Sequence, residues 1–129
     1  MAANRVLIID DDPDIRVFLR ALLEGEGYEV STAADGDEGL ALQRNRPAQV
    51  VVTDIFMPGK EGIETIHQLR GEFPQAKIIV ISGGPTRKGR DYLSVARELG
   101  AARSLKKPVA SQELIDAVRE LSPPEGRSI

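Results

Sequence analysis

Three segments, RVLIID (residues 5–10), QVVVTD (49–54) and KIIVIS (77–82), constrain the fold more than anything else in the chain. Each is a short run of aliphatic, mostly β-branched residues with no polar residue alternating through its centre. A strand with one wet face alternates. A helix of ordinary length repeats with a 3.6-residue period. An unbroken run of this kind suits a strand covered on both faces, as in a parallel sheet. YEVSTA (28–33) and ARSLKK (102–107) are weaker candidates for two more strands.

Helical spacing fills the gaps between these runs. Ile15, Phe18, Leu19 and Leu22 fall at i, i+3, i+4 and i+7, with Asp12 and Pro13 as a start and Gly25 as a stop. Residues 35–45 (DGDEGLALQRN) carry the weakest helical pattern, and Ile63, Ile66 and Leu69 mark another. Tyr92, Val95, Ala96 and Leu99 repeat the spacing before Gly100. Leu114, Ile115, Val118 and Leu121 do so again, with Ser111 near the start and Pro123-Pro124 beyond the end. The order is β-α repeated five times, so the crossovers are right-handed and the sheet is parallel. Five strands suit the α/β, doubly wound, flavodoxin-like (βα)5 order 2-1-3-4-5 better than a six-stranded dinucleotide fold.

The totals agree with one domain. A chain of 129 residues, 41% hydrophobic and 29% charged, can bury a core without staples. Residues 1–122 are expected to form the domain and 123–129 a short tail. A natural-looking Met1 and that short tail point to a complete protein over an excised piece. A net charge of −3 gives no general basic footprint for nucleic acid, so direct nucleic-acid binding is not expected. With no cysteine there are neither disulfides nor thiolate metal sites. No apolar stretch approaches the roughly 20 residues that span a bilayer. The expected location is the cytoplasm.

Ligands of such sheets sit outside the carboxyl ends of the strands, so the residues found there matter most. Strand 1 ends in Asp10, Asp11 and Asp12; strand 3 in Asp54; strand 4 in Ser82; strand 5 in Lys106, Lys107 and Pro108. Strand 2, an edge in the order 2-1-3-4-5, ends in Ala33-Ala34. Asp10, Asp11 and Asp54 on adjacent strands would repel one another, and a divalent cation relieves that. All-oxygen ligands suit Mg²⁺ better than zinc. Lys107 can neutralise the remaining charge or hold an incoming oxygen. Other residues carry plainer readings. Asp12 and Asp14 suit helix capping, Lys106 and the RKGR run (87–90) suit solvent, and His67 suits a structural or surface position. GGP (83–85) is weak as a phosphate cradle because no helix cap follows it directly.

The ordered set VLIIDDDPDIR, VVVTDIFMPGKEG, IIVISGG and SLKKPV resembles the receiver domain of bacterial two-component response regulators, single-domain type, across nearly the whole length. The resemblance implies a phosphorylation-dependent switch or relay. Asp54 would accept a phosphoryl group from a sensor histidine kinase or a histidine phosphotransfer protein. Asp10, Asp11 and Asp54, with the Phe56 carbonyl, would hold Mg²⁺. Ser82 and Lys107 would contact phosphoryl oxygens. Lys107-Pro108 would be a cis peptide, and Met57, Pro58 and Gly62 would shape the loop after the acceptor. Phosphorylation would change the surface around the loop after strand 4, the next helix, strand 5 and the last helix. The chemistry would be confined to phosphorylation of Asp54 and its reversal, with no turnover of a small-molecule substrate.

Two features depart from the pattern. Ser104 stands where receivers usually carry an aromatic residue, and the stretch from Ser82 to Gly100 is slightly longer than usual. Both lend slight support to an alternative, a receiver-like interaction module that works without the phosphate, against which the complete set of Asp10, Asp11, Asp54, Ser82 and Lys107 argues. A dehalogenase-type phosphatase fits the D-x-D of Asp10-Asp11-Asp12, yet Asp14 stands where that class needs Thr or Val. A dinucleotide or flavin site is excluded by an acidic first βα turn, where glycines and free amides are needed.

Overall fold

The computed structural model describes residues 4–55, 62–83 and 97–123. Nine elements run in the order β1 (Arg5–Ile9), α1 (Pro13–Glu24), β2 (Glu29–Ala33), α2 (Gly36–Asn45), β3 (Val50–Asp54), α3 (Gly62–Glu72), β4 (Lys77–Gly83), β5 (Arg103–Lys107) and α4 (Ser111–Leu121). All five strands pair in parallel, in the order β2-β1-β3-β4-β5. The doubly wound arrangement read from the apolar runs is the one observed. Of the helix expected over residues 92–99, Tyr92, Val95 and Ala96 lie outside the described residues. Leu99 packs against the core, and Gly100 adopts φ +104° before β5.

The unbroken apolar runs are explained by a core on each side of the sheet. Val6, Ile8, Val50, Val52, Ile79 and Ile81 face α1 and α4, where Leu19, Leu23, Leu114 and Val118 complete the layer. Leu7, Ile9, Val51, Ile78 and Val80 face the other way, onto Leu40 of α2 and Ile66 and Leu69 of α3. Burial of a Val, Leu or Ile side chain contributes roughly 1.5–3 kcal/mol, so the β1 and β3 runs anchor both layers. α2 lies very close to β1: a Cβ added to Gly39 would stand 2.4 Å from Ile9 Cδ1.

The helices start and stop largely as their sequences ask. Asp12 caps α1 by accepting from the Asp14 amide, Pro13 fills the first turn, and Asp35 caps α2 through the Glu38 amide. Ala110, with no side-chain cap, precedes α4, and Ser111 is its first helical residue. The α1 stripe departs from expectation at one position. Leu19 and Leu23 are buried, while Phe18 remains 52% exposed. The buried stripe runs through Leu19 and Leu23, and the i+3 residue lies at its exposed margin.

Register carries this order to one rim. Ile9 pairs with Thr53, Asp54 with Ile81, and Ser82 with Lys106. The residues following β1 and closing β3, β4 and β5 therefore meet at the same end of the sheet. On β5, an edge strand, Arg103 and Lys106 are exposed and Leu105 is buried.

Candidate functional site

At the rim, β3 delivers Asp54 directly beneath the lysine that ends β5. Lys107 Nζ donates to Asp54 Oδ2 at 2.7 Å and stands 3.3 Å from Asp10 Oδ2. Asp54 and Asp10 are buried, whereas Asp11 is exposed. Asp10, Asp11 and Asp54 each offer a carboxylate oxygen within 4.8 Å of the others. Lys107 leads into Pro108 through a cis peptide bond. Ser82 is buried one residue beyond Ile81, the register partner of Asp54. Phe56, Met57 and Pro58 fall outside the described residues. Gly62 opens α3 hard against the chain leaving Asp54, since a Cβ there would stand 2.3 Å from the Ile55 carbonyl oxygen. Only glycine can bring the helix that close.

The β1–α1 turn uses its three consecutive carboxylates differently. Asp12 caps the helix. Asp10 Oδ1 accepts from the Asp12 amide at 2.9 Å. Asp10 Oδ2 is buried and makes no hydrogen bond. Burial, chiefly, raises the Asp10 pKa above the ordinary carboxylate value; the Asp12 amide and Lys107 work against it, and the Asp54 charge adds to it. Burial also pulls Lys107 down, but its hydrogen bond to Asp54 and the charges of Asp54 and Asp10 outweigh that and hold its pKa above the usual lysine value.

One ammonium thus serves two carboxylates, Asp54 by a hydrogen bond and Asp10 by a 3.3 Å ion pair, and the buried Asp10 Oδ2 has no hydrogen bond beyond that pair. Buried polar atoms without a hydrogen bond are uncommon, and this one has only its ion pair to Lys107. The donors are oxygens only, the set preferred by hard divalent cations. The three aspartates fit such an ion. His67, the only histidine, lies exposed on α3, and Lys106 is exposed on β5. Asp14 is exposed in the first turn of α1.

Beside the cluster, Ile15, Phe18 and Leu19 of α1 and Lys107, Pro108 and Val109 border a mainly apolar cavity of about 430 Å³. Phe18, misplaced by the helical stripe, finds its setting here. The sequence reading also passed over Arg16, which donates from Nη1 to the Asp10 carbonyl at 2.7 Å. The one signal was a lone cation a helical turn beyond three acids.

A profile of the response regulator receiver domain matches residues 6–119. The chain belongs to the response regulator receiver family. Response regulator MprA of Mycobacterium sp. (strain KMS) is 37% identical over 129 aligned residues, 95% of this chain and 54% of that protein. Transcriptional regulatory protein CpxR of Klebsiella pneumoniae is 34% identical over 119 residues, 92% of this chain and 49% of that protein. This receiver spans about half the length of the curated relatives it matches. Among solved structures, a CheY-like receiver domain protein from Methanospirillum hungatei superposes with a TM-score of 0.83 at 33% identity, covering 92% of this chain and 93% of that one. A receiver domain protein from Clostridium thermocellum gives the same TM-score, 0.83, at 31% identity over 92% of this chain and 93% of that one. No helix among the described residues is long and apolar enough to cross a membrane.

Proposed function

We propose that Asp54 is the phosphoacceptor of a signalling switch, taking its phosphoryl group from the phosphohistidine of a sensor kinase or a histidine phosphotransfer protein. The observation that carries this reading is the 2.7 Å contact between Lys107 Nζ and Asp54 Oδ2 within a cluster that also contains Asp10 and Asp11. A buried carboxylate so held is a preorganised nucleophile. Its oxygen attacks phosphorus, the P–N bond to the donor imidazole breaks, and the imidazole keeps that electron pair and takes a proton. The product is an acyl phosphate on Asp54. Charge spreads over three phosphoryl oxygens during transfer, and Lys107 and the Ser82 hydroxyl would receive two of them. Mg²⁺, held by Asp10, Asp11, Asp54 and the Phe56 carbonyl, would supply the positive charge that lets the carboxylates and the phosphoryl oxygens share one rim. Water attack on the acyl phosphate reverses the switch.

A new phosphoryl group brings nearly two negative charges beside Ser82. It draws that hydroxyl toward the rim and biases the stretch after β4, together with β5 and α4, between two arrangements. The apolar cavity along α1 and Pro108 gives the donor a place to dock, because Lys107 lines both the cavity and the acceptor. This reading places the protein in the cytoplasm, where ATP-fed kinases work.

Intact mass after incubation with acetyl phosphate and Mg²⁺ tests the proposal. The parent should gain one phosphoryl group and lose it on standing, while Asp54→Ala and a chelator-treated parent should gain none. An unmodified parent would replace this reading with an interaction module that acts without phosphate, the role Ser104 favours.

A further inference from the structure

Arg16 is not one of the groups expected to meet phosphate or metal, yet it is built into the turn that carries two of the three carboxylates. Its guanidinium donates to the backbone carbonyl of Asp10 at 2.7 Å. The other polar atoms of Asp10 are also held. Its amide donates to the Ala33 carbonyl of β2 at 3.0 Å, and its Oδ1 accepts from the Asp12 amide at 2.9 Å. Only Oδ2 has no hydrogen bond, and it faces Lys107. The Asp10 carbonyl belongs to the peptide that leads into Asp11, so fixing that carbonyl also fixes where the Asp11 carboxylate is offered.

The choice of acceptor is informative. A carboxylate binds a guanidinium more strongly than a carbonyl does. Arg16 nonetheless forms no ion pair among the described residues, and it is half-buried over the turn. It braces the backbone and takes up none of the carboxylate oxygens itself. A cation bound to those oxygens would compete with the metal; one bound to the carbonyl cannot.

We infer that Arg16 is a positioning residue for the metal site: it holds the Asp10–Asp11 peptide so that both carboxylates meet the ion at the geometry a small hard cation demands. The inference rests on the phosphoacceptor reading only for its consequence in phosphoryl transfer; the metal-binding consequence stands by itself. Charge and position here pull in opposite directions. Removing a nearby positive charge alone would tighten Mg²⁺ binding. Removing the brace would weaken it, and groups that orient metal ligands typically shift affinity by about 10–100-fold.

The test titrates Mg²⁺ into full-length parent, Arg16→Met and Arg16→Lys, by calorimetry and by the backbone amide NMR signals of Asp11 and Asp12, with thermal melting of the metal-free proteins alongside. Arg16→Met should weaken Mg²⁺ binding by about tenfold. Arg16→Lys, which can still reach the carbonyl with a single donor, should recover part of the loss. Phosphorylation by acetyl phosphate should need correspondingly more Mg²⁺, while its rate at saturating Mg²⁺ moves much less. Unchanged or tighter Mg²⁺ binding in Arg16→Met overturns the inference, whether or not the melting temperature falls. A parent that binds Mg²⁺ but takes no phosphate sinks the phosphoacceptor reading and leaves the affinity comparison to decide Arg16. A parent that binds no Mg²⁺ overturns both.

Discussion

The two ends of the same sheet treat charge in opposite ways. At the amino ends of the strands, charged and polar groups find partners close by. Glu29 accepts from Arg5 Nε at 2.9 Å and from Arg46 at 2.8 Å. Arg44 grips Glu72 with two bonds, at 2.8 and 2.6 Å. Gln43, 1% exposed, closes a reciprocal pair with the backbone amide and carbonyl of Ala48, both at 2.9 Å. At the carboxyl ends three carboxylates cluster, one lysine reaches two of them, and the buried Asp10 Oδ2 has no hydrogen bond beyond its 3.3 Å ion pair. The first rim is finished by folding alone. The second keeps a buried carboxylate that burial disfavours, the kind of cost that gathers at functional sites.

Substitutions at either end sharpen that contrast. The largest stability effect belongs to Gln43→Ala. It strands a buried N–H and a buried C=O and opens a cavity beneath β3, which should destabilise the protein by about 2–4 kcal/mol in urea unfolding. Asp10→Asn should act in the other direction. It removes a poorly compensated buried charge, so the metal-free protein should gain about 1 kcal/mol near neutral pH while losing Mg²⁺ affinity. The pH dependence follows from the raised folded pKa of Asp10. Its contribution is fullest below the unfolded carboxylate value and is lost as pH rises through the folded value. The gap between Asn variant and parent should therefore open with rising pH and close in acid. A gap that widened in acid would mean that Asp10 stabilises the fold. Glu72→Gln should have the smallest effect. Arg44, through its hydrogen bond first, lowers the Glu72 pKa, so this pair helps above the ordinary carboxylate value and fades as pH falls through the lowered one. Both side chains are solvated, so the urea midpoint at pH 7 should hardly move.

Sequence carried the strands well because burial on both faces leaves an unbroken apolar run, and its shortness and β-branched content mark it as strand. It carried the rim residues for a related reason. Asp54 and Lys107 are polar residues closing otherwise apolar or edge strands, and a parallel sheet sends all such closing residues to one side. Less was legible where the partner is distant or is backbone. Tyr28 is buried, and its hydroxyl donates to the Ser122 carbonyl at 2.6 Å, across 94 residues of sequence; its spacing predicts only the start of β2. Arg16 acts on a carbonyl, which no side-chain pattern announces. Phe18 matches the helical period and still faces outward, because the period gives the width of a stripe and the neighbouring elements decide its tilt.

The edge strand β5 carries a separate consequence. Arg103 and Lys106 point out from an edge that still has backbone groups to offer, and the Arg103 guanidinium pairs with Glu120 of α4. A second molecule adding its own β5 alongside would bring cation against cation along the seam. Exposed charge of this kind on an edge strand disfavours edge-to-edge pairing between molecules.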